Sequence, residues 1–209
     1  LGNHMENRAG RTTLLGKMVA WHDWCISDMR IKIIQKAVLL ITFFLVIMPT
    51  LVLADWKTKY PDVEVVGTGV LKVFFMEIYN LTLHADTRDY TKSDHYILEF
   101  DYKKPVSKTT IIDASINELT KVPNVSADDI KAWRTMLDKG IVDMNSGDKA
   151  TVAFSKFGDV EFWSGTQKII SFRDPKFAAN FAAIWLGSQT AYPELRLALL
   201  GQKPARWLA

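Results

Sequence analysis

The side chains with the clearest chemical capability lie along one apolar segment that runs from Asp62 to His84. Lys72 offers a cation that can pair with an anion, and the Tyr79 hydroxyl can donate a hydrogen bond to a carboxylate or carbonyl oxygen. Thr82 carries a further polar group. Neighbouring side chains on a strand point to opposite faces, so Thr82 shares the face of Tyr79 only where the strand bulges. The pattern is typical either of ligand contacts or of polar groups at the edge of a core.

Several kinds of catalytic site have no counterpart in this sequence. Residues 55–209 contain no cysteine, so neither a disulfide nor thiol chemistry is available to them. His84 and His95 are the only histidines there, and neither belongs to a cluster with metal-ligand spacing. No serine lies in a nucleophile-elbow motif, and no glycine-rich phosphate loop is present. We therefore expect no catalytic residue of these kinds, no metal and no cofactor.

The excess of positive charge is confined to the first part of the chain. The whole sequence has 26 basic and 23 acidic residues, whereas residues 55–209 contain 20 of each. A neutral region without a basic stripe lacks the electrostatic footprint of a nucleic-acid-binding protein. We expect no nucleic acid partner.

Residues 29–54 have the pattern of a secretory signal peptide. Met29 to Lys36 form a short basic start, and Ala37 to Leu51 supply an apolar stretch. Val52-Leu53-Ala54 then place compact residues before polar Asp55, where a signal peptidase cleaves. The sequence therefore predicts a periplasmic or secreted protein that starts at Asp55.

A retained inner-membrane anchor is the alternative interpretation of the same segment. Residues 37–54 reach about the minimum length of a membrane-spanning helix, so the protein would contact the membrane only there if it is uncleaved. We interpret residues 1–28, upstream of Met29, as a non-native or misassigned extension; the alternative is a genuine cytoplasmic extension of an anchored protein. Residues 55–209 are predicted to form one domain.

Strand-like segments occur in two groups. Residues 62–84 are rich in β-branched and aromatic residues, and residues 95–102 alternate between apolar and polar. Gly67 and Gly69 interrupt the first segment and predict a bulge or a tight connection. A second group follows later in the chain: residues 150–154, 160–163 and 168–172.

Helix-start signals separate and follow the two groups of strands. Ser107 and Ser126 can cap two helices between the groups, and Asp174-Pro175 and Tyr192-Pro193 begin two more after them. The order of strands, helices, strands and helices predicts an α+β domain. In it, an antiparallel β-sheet is covered on one side by helices.

The end of the chain carries a specific series of residues. The segment DP-x-F-A-x-x-F-x-x-IWLG begins at Asp174, and T-x-x-P-x-LR-x-x-LLG begins at Thr190 and ends at Gly201. This series resembles the C-terminal signature of bacterial chalcone isomerase-like proteins. The resemblance extends over residues 63–201 and implies the chalcone isomerase fold, an open-faced sandwich.

The resemblance also implies where a ligand binds. In the plant isomerases and their fatty-acid-binding relatives, an arginine that follows a Gly-x-Gly sequence faces a phenolate, enolate or carboxylate. Here Leu71 holds that position, and Lys72 replaces the arginine only if a bulge at Gly69 shifts the register. Tyr79 falls where the family places a hydroxyl-bearing side chain. We name Tyr79, Lys72 and Thr82 as candidate ligand-binding residues.

Aromatic side chains are numerous enough either to line a lipid-sized cavity between sheet and helices or to fill the core. Trp163, beside a predicted turn, is the one that we expect at the surface. The seven considered are Phe74, Phe75, Trp133, Trp163, Phe177, Phe181 and Trp185.

Three functions are compatible with these features. The first is an exported, non-catalytic protein that binds a fatty acid or a similar amphipathic anion. The second is an intramolecular lyase or isomerase of the chalcone isomerase type, and the third is a structural envelope protein with a closed core. Leu71 favours the first over the second, because the isomerase mechanism requires stabilisation of an oxyanion.

Overall fold

The computed structural model of the protein describes residues 55–202. In this range the chain forms six β-strands: β1 (Glu64–Val73), β2 (Met76–Ala85), β3 (His95–Tyr102), β4 (Lys149–Ser155), β5 (Asp159–Ser164) and β6 (Gln167–Arg173). It also forms five α-helices: α1 (Trp56–Lys59), α2 (Lys108–Leu119), α3 (Ala127–Gly140), α4 (Pro175–Leu186) and α5 (Pro193–Leu199). The predicted leader, its alternative as an anchor, and the extension before it lie outside the described residues.

The strands form one antiparallel sheet in which their spatial order is the same as their order along the chain. Helices α2 to α5 cover one face, which we call the inner face; the other is the outer face. Leu83 and Leu98 of the inner face are fully buried, as are Leu137 and Phe177 of the helices that pack above them. The predicted α+β fold is confirmed.

The helices begin where the capping residues predict. The Ser126 Oγ accepts a hydrogen bond from the Asp129 backbone N–H at 3.1 Å, and the Asp129 carboxylate accepts one from the Ser126 N–H at 2.7 Å. Asp174 caps α4 by accepting from the Phe177 N–H at 2.9 Å. Its second carboxylate oxygen accepts from the Trp133 indole N–H at 3.0 Å, so the same residue joins α3 to α4.

The first strand-like segment is two strands and not one. Val73 pairs with Met76, so Phe74 and Phe75 alone form the turn between β1 and β2. Their φ angles are +47° and +70°, values typical of two-residue hairpin turns. Such turns usually contain asparagine and glycine, so the Phe-Phe sequence gives no turn signal.

Gly67 and Gly69 mark a bulge and a close approach of a helix. The β1–β2 register shifts between Val65 and Gly67, which confirms the predicted bulge. A Cβ atom on Gly67 would lie 2.2 Å from the Ala198 carbonyl oxygen, so α5 packs directly on the backbone of β1 at this point. Glycine is therefore required here by space.

The outer face is partly covered by the short helix α1. Trp56 of this helix forms a small buried cluster with Ile97, Ala153 and Trp163. The expectation that Trp163 is exposed is therefore wrong, because its side chain is only 4% exposed beneath α1. The residues before β1 supply a cover that the local turn sequence does not reveal.

The described helices are short in comparison with a membrane span. None of those between residues 55 and 202 combines the length and the apolar composition needed to cross a bilayer. The apolar stretch at residues 37–54 is outside this range.

Candidate functional site

A cavity of about 550 Å³ lies between the inner face of the sheet and the helices. This volume is within the usual range for pockets that bind small molecules. Most of its lining is apolar and comes from β1 to β5, α2, α4 and the loops next to them. The lining includes Leu71, Val73, Ile78, Tyr79, Phe100, Tyr102, Val106, Ile111, Ile141, Met144, Val152, Phe162, Phe181, Ile184 and Trp185.

Tyr79 supplies the most informative polar atom of this cavity. Its side chain is only 8% exposed, and its hydroxyl oxygen accepts a hydrogen bond from the Trp185 indole N–H at 2.9 Å. Burial raises the pKa of Tyr79, so the phenol stays protonated at neutral pH. No acceptor for the hydroxyl proton is found among residues 55–202. The phenol can therefore donate to an oxygen atom of a molecule in the cavity.

Aromatic rings hold the Tyr79 side chain in place. Phe100 and Tyr102 of β3 contact it edge-on, with ring centroids 5.2 and 5.5 Å away. Phe100 also contacts Trp185 at 5.1 Å, and Phe181 lies 5.4 Å from the same indole. These edge-to-face contacts fix the direction of the Trp185 N–H toward the Tyr79 hydroxyl.

Leu71 lies opposite Tyr79 in the register of β1 and β2 and lines the cavity. The lining contains no lysine or arginine from residues 55–202. Its one acidic residue, Glu118, pairs with Lys121 at 2.7 Å. The cavity therefore offers a hydrogen-bond donor but no cation that could stabilise an oxyanion.

Lys72 lies outside this cavity. Its ammonium group pairs with Glu77 at 3.0 Å, and its side chain is 57% exposed. A register shift does occur near it, but Ile78 of β2 is the extra residue, because Leu71 pairs with Tyr79 and Lys72 pairs with Glu77. The lysine consequently keeps the orientation opposite to that of Leu71.

Thr82 is also on the other face. Its hydroxyl is 3.1 Å from that of Thr68 on the neighbouring strand β1, and it does not line the cavity. No bulge separates it from Tyr79, since β2 and β3 stay in continuous register from Tyr79 to Ala85. The structure thus brings only Tyr79, of the three candidates, to the cavity.

Several lining residues were not singled out from the sequence. Phe100 and Tyr102 share a face with Leu98 by simple alternation, and this signal could have identified them. Thr110, Ile111 and the other α2 residues gave no comparable signal, because their place depends on how the helix lies across the sheet. No group of three side chains that could hold a metal ion occurs within the described range.

The rim of the cavity lies at one end of the sheet. Val73 near the end of β1 lines it, together with Pro105 and Ser107 of the loop before α2. The Lys103 backbone N–H donates to the Ile78 carbonyl at 2.8 Å and joins this loop to β2. Val73, Pro105 and Ser107 line the cavity and are also exposed, so the cavity opens to solvent beside the β1–β2 hairpin.

Comparisons with known proteins agree with this architecture. The fold is similar to the crystal structure of a fatty-acid binding protein from Arabidopsis thaliana, with a TM-score of 0.53 and 8% sequence identity. That match covers 66% of this chain and 87% of the other, and at such low identity it concerns the fold alone. No curated protein matches the sequence. A profile described as chalcone isomerase-like matches residues 57–201, and the chain therefore belongs to the chalcone isomerase-like family.

Proposed function

We propose that this protein is a non-catalytic carrier that binds a fatty acid or a similar single-chain amphiphile in the cavity between sheet and helices. The observation that carries the proposal is the combination of about 550 Å³ of mainly apolar space with the unshared hydroxyl proton of Tyr79. An apolar lining with few convergent polar groups is typical of sites for hydrophobic ligands. The sequence of residues 29–54 supports export as part of the same proposal.

The composition of the lining favours binding over catalysis. Leu71 faces the cavity where the resemblance predicts an arginine, and no other cation replaces it among the described lining residues. A developing oxyanion would meet neutral donors such as the Tyr79 hydroxyl but no cation, which is a weak arrangement for ring closure. The volume of the cavity also favours binding over a structural role with a closed core.

The same lining restricts the charge of the ligand head. An ionised carboxylate buried without a cation is costly, whereas a protonated acid or an alcohol can accept from Tyr79 at little cost. We therefore propose that the ligand binds with its polar head uncharged. This refines the expectation of an amphipathic anion, because Lys72, the cation expected to pair with it, lies outside the cavity.

Direct titration with medium- and long-chain fatty acids and the matching fatty alcohols tests the proposal. Both classes should bind and raise the melting temperature, because a ligand of the native state stabilises it by mass action. The Tyr79→Phe variant should bind about two- to tenfold more weakly, the usual net value of one hydrogen bond.

Tyr96→Phe is the matched control for that variant. Tyr96 lies on β3, the strand next to that of Tyr79, and burial raises its pKa to about 12. Its ring stacks on Phe154, but it does not line the cavity. The Tyr96→Phe variant should leave the dissociation constant of the fatty acid or alcohol unchanged. Absence of any bound lipid, together with no thermal shift at any chain length, would show that the binding proposal is wrong. A rate of chalcone cyclisation above the spontaneous background would instead favour the isomerase.

A further inference from the structure

The hairpin that joins β1 to β2 ends in a cluster of exposed apolar side chains. Phe75 is 100% exposed and Phe74 is 89% exposed, and the flanking Met76 and Val73 are 54% and 38% exposed. We call these four residues the apolar tip. Single exposed apolar side chains are ordinary on a protein surface, but four consecutive ones at a projecting turn indicate an interaction surface.

The backbone of the apolar tip adopts a conformation that aromatic residues rarely take. Both Phe74 and Phe75 have positive φ angles, of 47° and 70°. An Asn-Gly pair would fit these angles without strain, but it would also remove both rings from the tip. Local strain of this kind concentrates at functional sites, where the side chains it presents are needed.

The apolar tip adjoins the entrance of the cavity. Val73 belongs both to the tip and to the lining, and Ile78 and Tyr79 line the cavity a few residues along β2. Phe157, another exposed aromatic residue, lies in the β4–β5 turn at the opposite end of the sheet. The largest exposed apolar cluster is thus next to the place where a lipid would enter.

One lysine near the apolar tip, Lys104, is unpaired among the described residues and suits an anionic surface. The tip itself has no charged residue, and Lys72 precedes it with a side chain that is 57% exposed. Lys104 is exposed on the adjoining loop, which the Lys103 N–H joins to Ile78. In the described part of the chain Lys104 has no ion-pair partner, whereas Lys72 pairs with Glu77.

We propose that the apolar tip inserts into a lipid bilayer and places the cavity entrance against the membrane surface. Phe74 and Phe75 enter the acyl region, and Lys104 faces anionic headgroups. A bilayer can bury both rings of a convex two-residue projection, because apolar side chains insert into its deformable headgroup–acyl boundary. Insertion of the apolar tip does not depend on the proposed function. Only its consequence, that a lipid moves between the bilayer and the cavity, rests on the proposed function.

Site-specific fluorescence on the full chain tests the insertion. An environment-sensitive dye is attached at Met76→Cys in a Cys25→Ser background, which leaves both phenylalanines in place. Vesicles of phosphatidylcholine with phosphatidylglycerol should shift the emission at position 76 to the blue, and pure phosphatidylcholine should do so less. The same dye at Phe157→Cys should not respond, which controls for membrane association through any other part of the chain.

The double variant Phe74→Asn/Phe75→Gly separates insertion from folding. It installs the residues that the turn prefers, so the melting temperature should be equal or higher. The shift at position 76 should be lost, and vesicle partitioning through the tip should fall by about tenfold or more, as expected from removing a buried aromatic side chain.

Each alternative outcome has a distinct meaning. The inference is overturned if the dye at position 76 shows no emission shift with vesicles, or the same shift as the dye at position 157. It is also overturned by an emission shift without vesicles that depends on protein concentration, which would indicate a contact between two copies of the chain. A lipid that binds in solution while the tip does not insert overturns only this inference. Insertion without any binding of fatty acid or alcohol overturns only the proposed function.

Discussion

On the outer face of the sheet the buried carboxylates are paired, whereas on the inner face the Tyr79 hydroxyl proton is unshared. Glu99 accepts from Lys149 at 2.8 Å and lies 3.1 Å from His84. Glu161 accepts from Tyr60 at 3.1 Å and also binds Lys59. Both faces arise from the same alternation of side chains, so alternation alone does not distinguish a structural polar group from a ligand contact. Whether the proton or charge of the polar group already has a partner within the protein distinguishes the two cases.

One donor on the outer face departs from this contrast. The indole N–H of Trp163 is buried without a hydrogen-bond partner in the part of the chain that is described. Its side chain packs in the cluster under α1, although the residue also contributes to the lining of the inner-face cavity. An unpaired donor therefore indicates a binding site only where its side chain lies on the face that carries the cavity, as that of Tyr79 does.

The largest expected effect on the free energy of unfolding comes from replacing Glu99 on the outer face. The hydrogen bond with His84 lowers the pKa of Glu99 to about 2, and Lys149 contributes in the same direction against the cost of burial. An unfolded glutamate has a higher pKa, so the stability from Glu99 is complete above about pH 4.5 and is lost as the pH falls toward 2. We expect Glu99→Gln to cost about 2–3 kcal/mol at neutral pH and little near pH 2.

Urea unfolding between pH 2 and 7 measures how the cost of Glu99→Gln changes with pH. Asp101→Asn is the control, because the Asp101 carboxylate makes a surface pair with Lys103 at 2.7 Å, and such pairs contribute little. If the difference in unfolding free energy between wild type and Glu99→Gln does not change with pH, the ionised pairing of Glu99 is contradicted. Such a difference would come from altered packing and not from loss of charge.

The second prediction contrasts two parts of the inner face. A Cβ atom on Gly67 would meet backbone carbonyls of Ala198 and Leu199 at 2.2 and 2.6 Å, and neither can move without shifting α5. We expect Gly67→Ala to lower the free energy of unfolding by about 2 kcal/mol. Gly69→Ala should cost less, because its nearest obstacle is the flexible end of the Leu195 side chain at 2.6 Å. Equal losses in chemical denaturation would show that α5 adjusts freely.

Much of the fold was predictable because its signals are local. The capping residues Ser126 and Asp174 set the starts of helices through bonds to amides three residues away. The Phe74-Phe75 turn was not predictable, because the fold imposes its φ angles on residues without turn preference. The covering of Trp163 by α1 was missed for a related reason, since it depends on a contact distant in the sequence.

The candidate site was predictable only in part. Tyr79 was found because the resemblance and the strand alternation both point to it. The place of Lys72 depends on which strand carries the extra residue, and the extra residue is Ile78 of β2. The cavity itself is volume left over by the packing of α2 and α4 across the sheet, which no sequence period encodes.

The variants with the smallest expected effect on stability test most sharply whether the ligand binds on the inner face and not on the outer face. Leu71 and Val70 are neighbours on β1, but Leu71 lines the cavity and Val70 is 38% exposed on the outer face. Leu71→Phe adds volume opposite Tyr79 and should strongly weaken lipid binding. The free energy of unfolding should change by less than about 1 kcal/mol, because the added ring fills open space. Val70→Phe introduces the same side chain on the other face and should leave binding unchanged. If both variants bind a fatty acid equally well in direct titration, the ligand does not occupy this cavity.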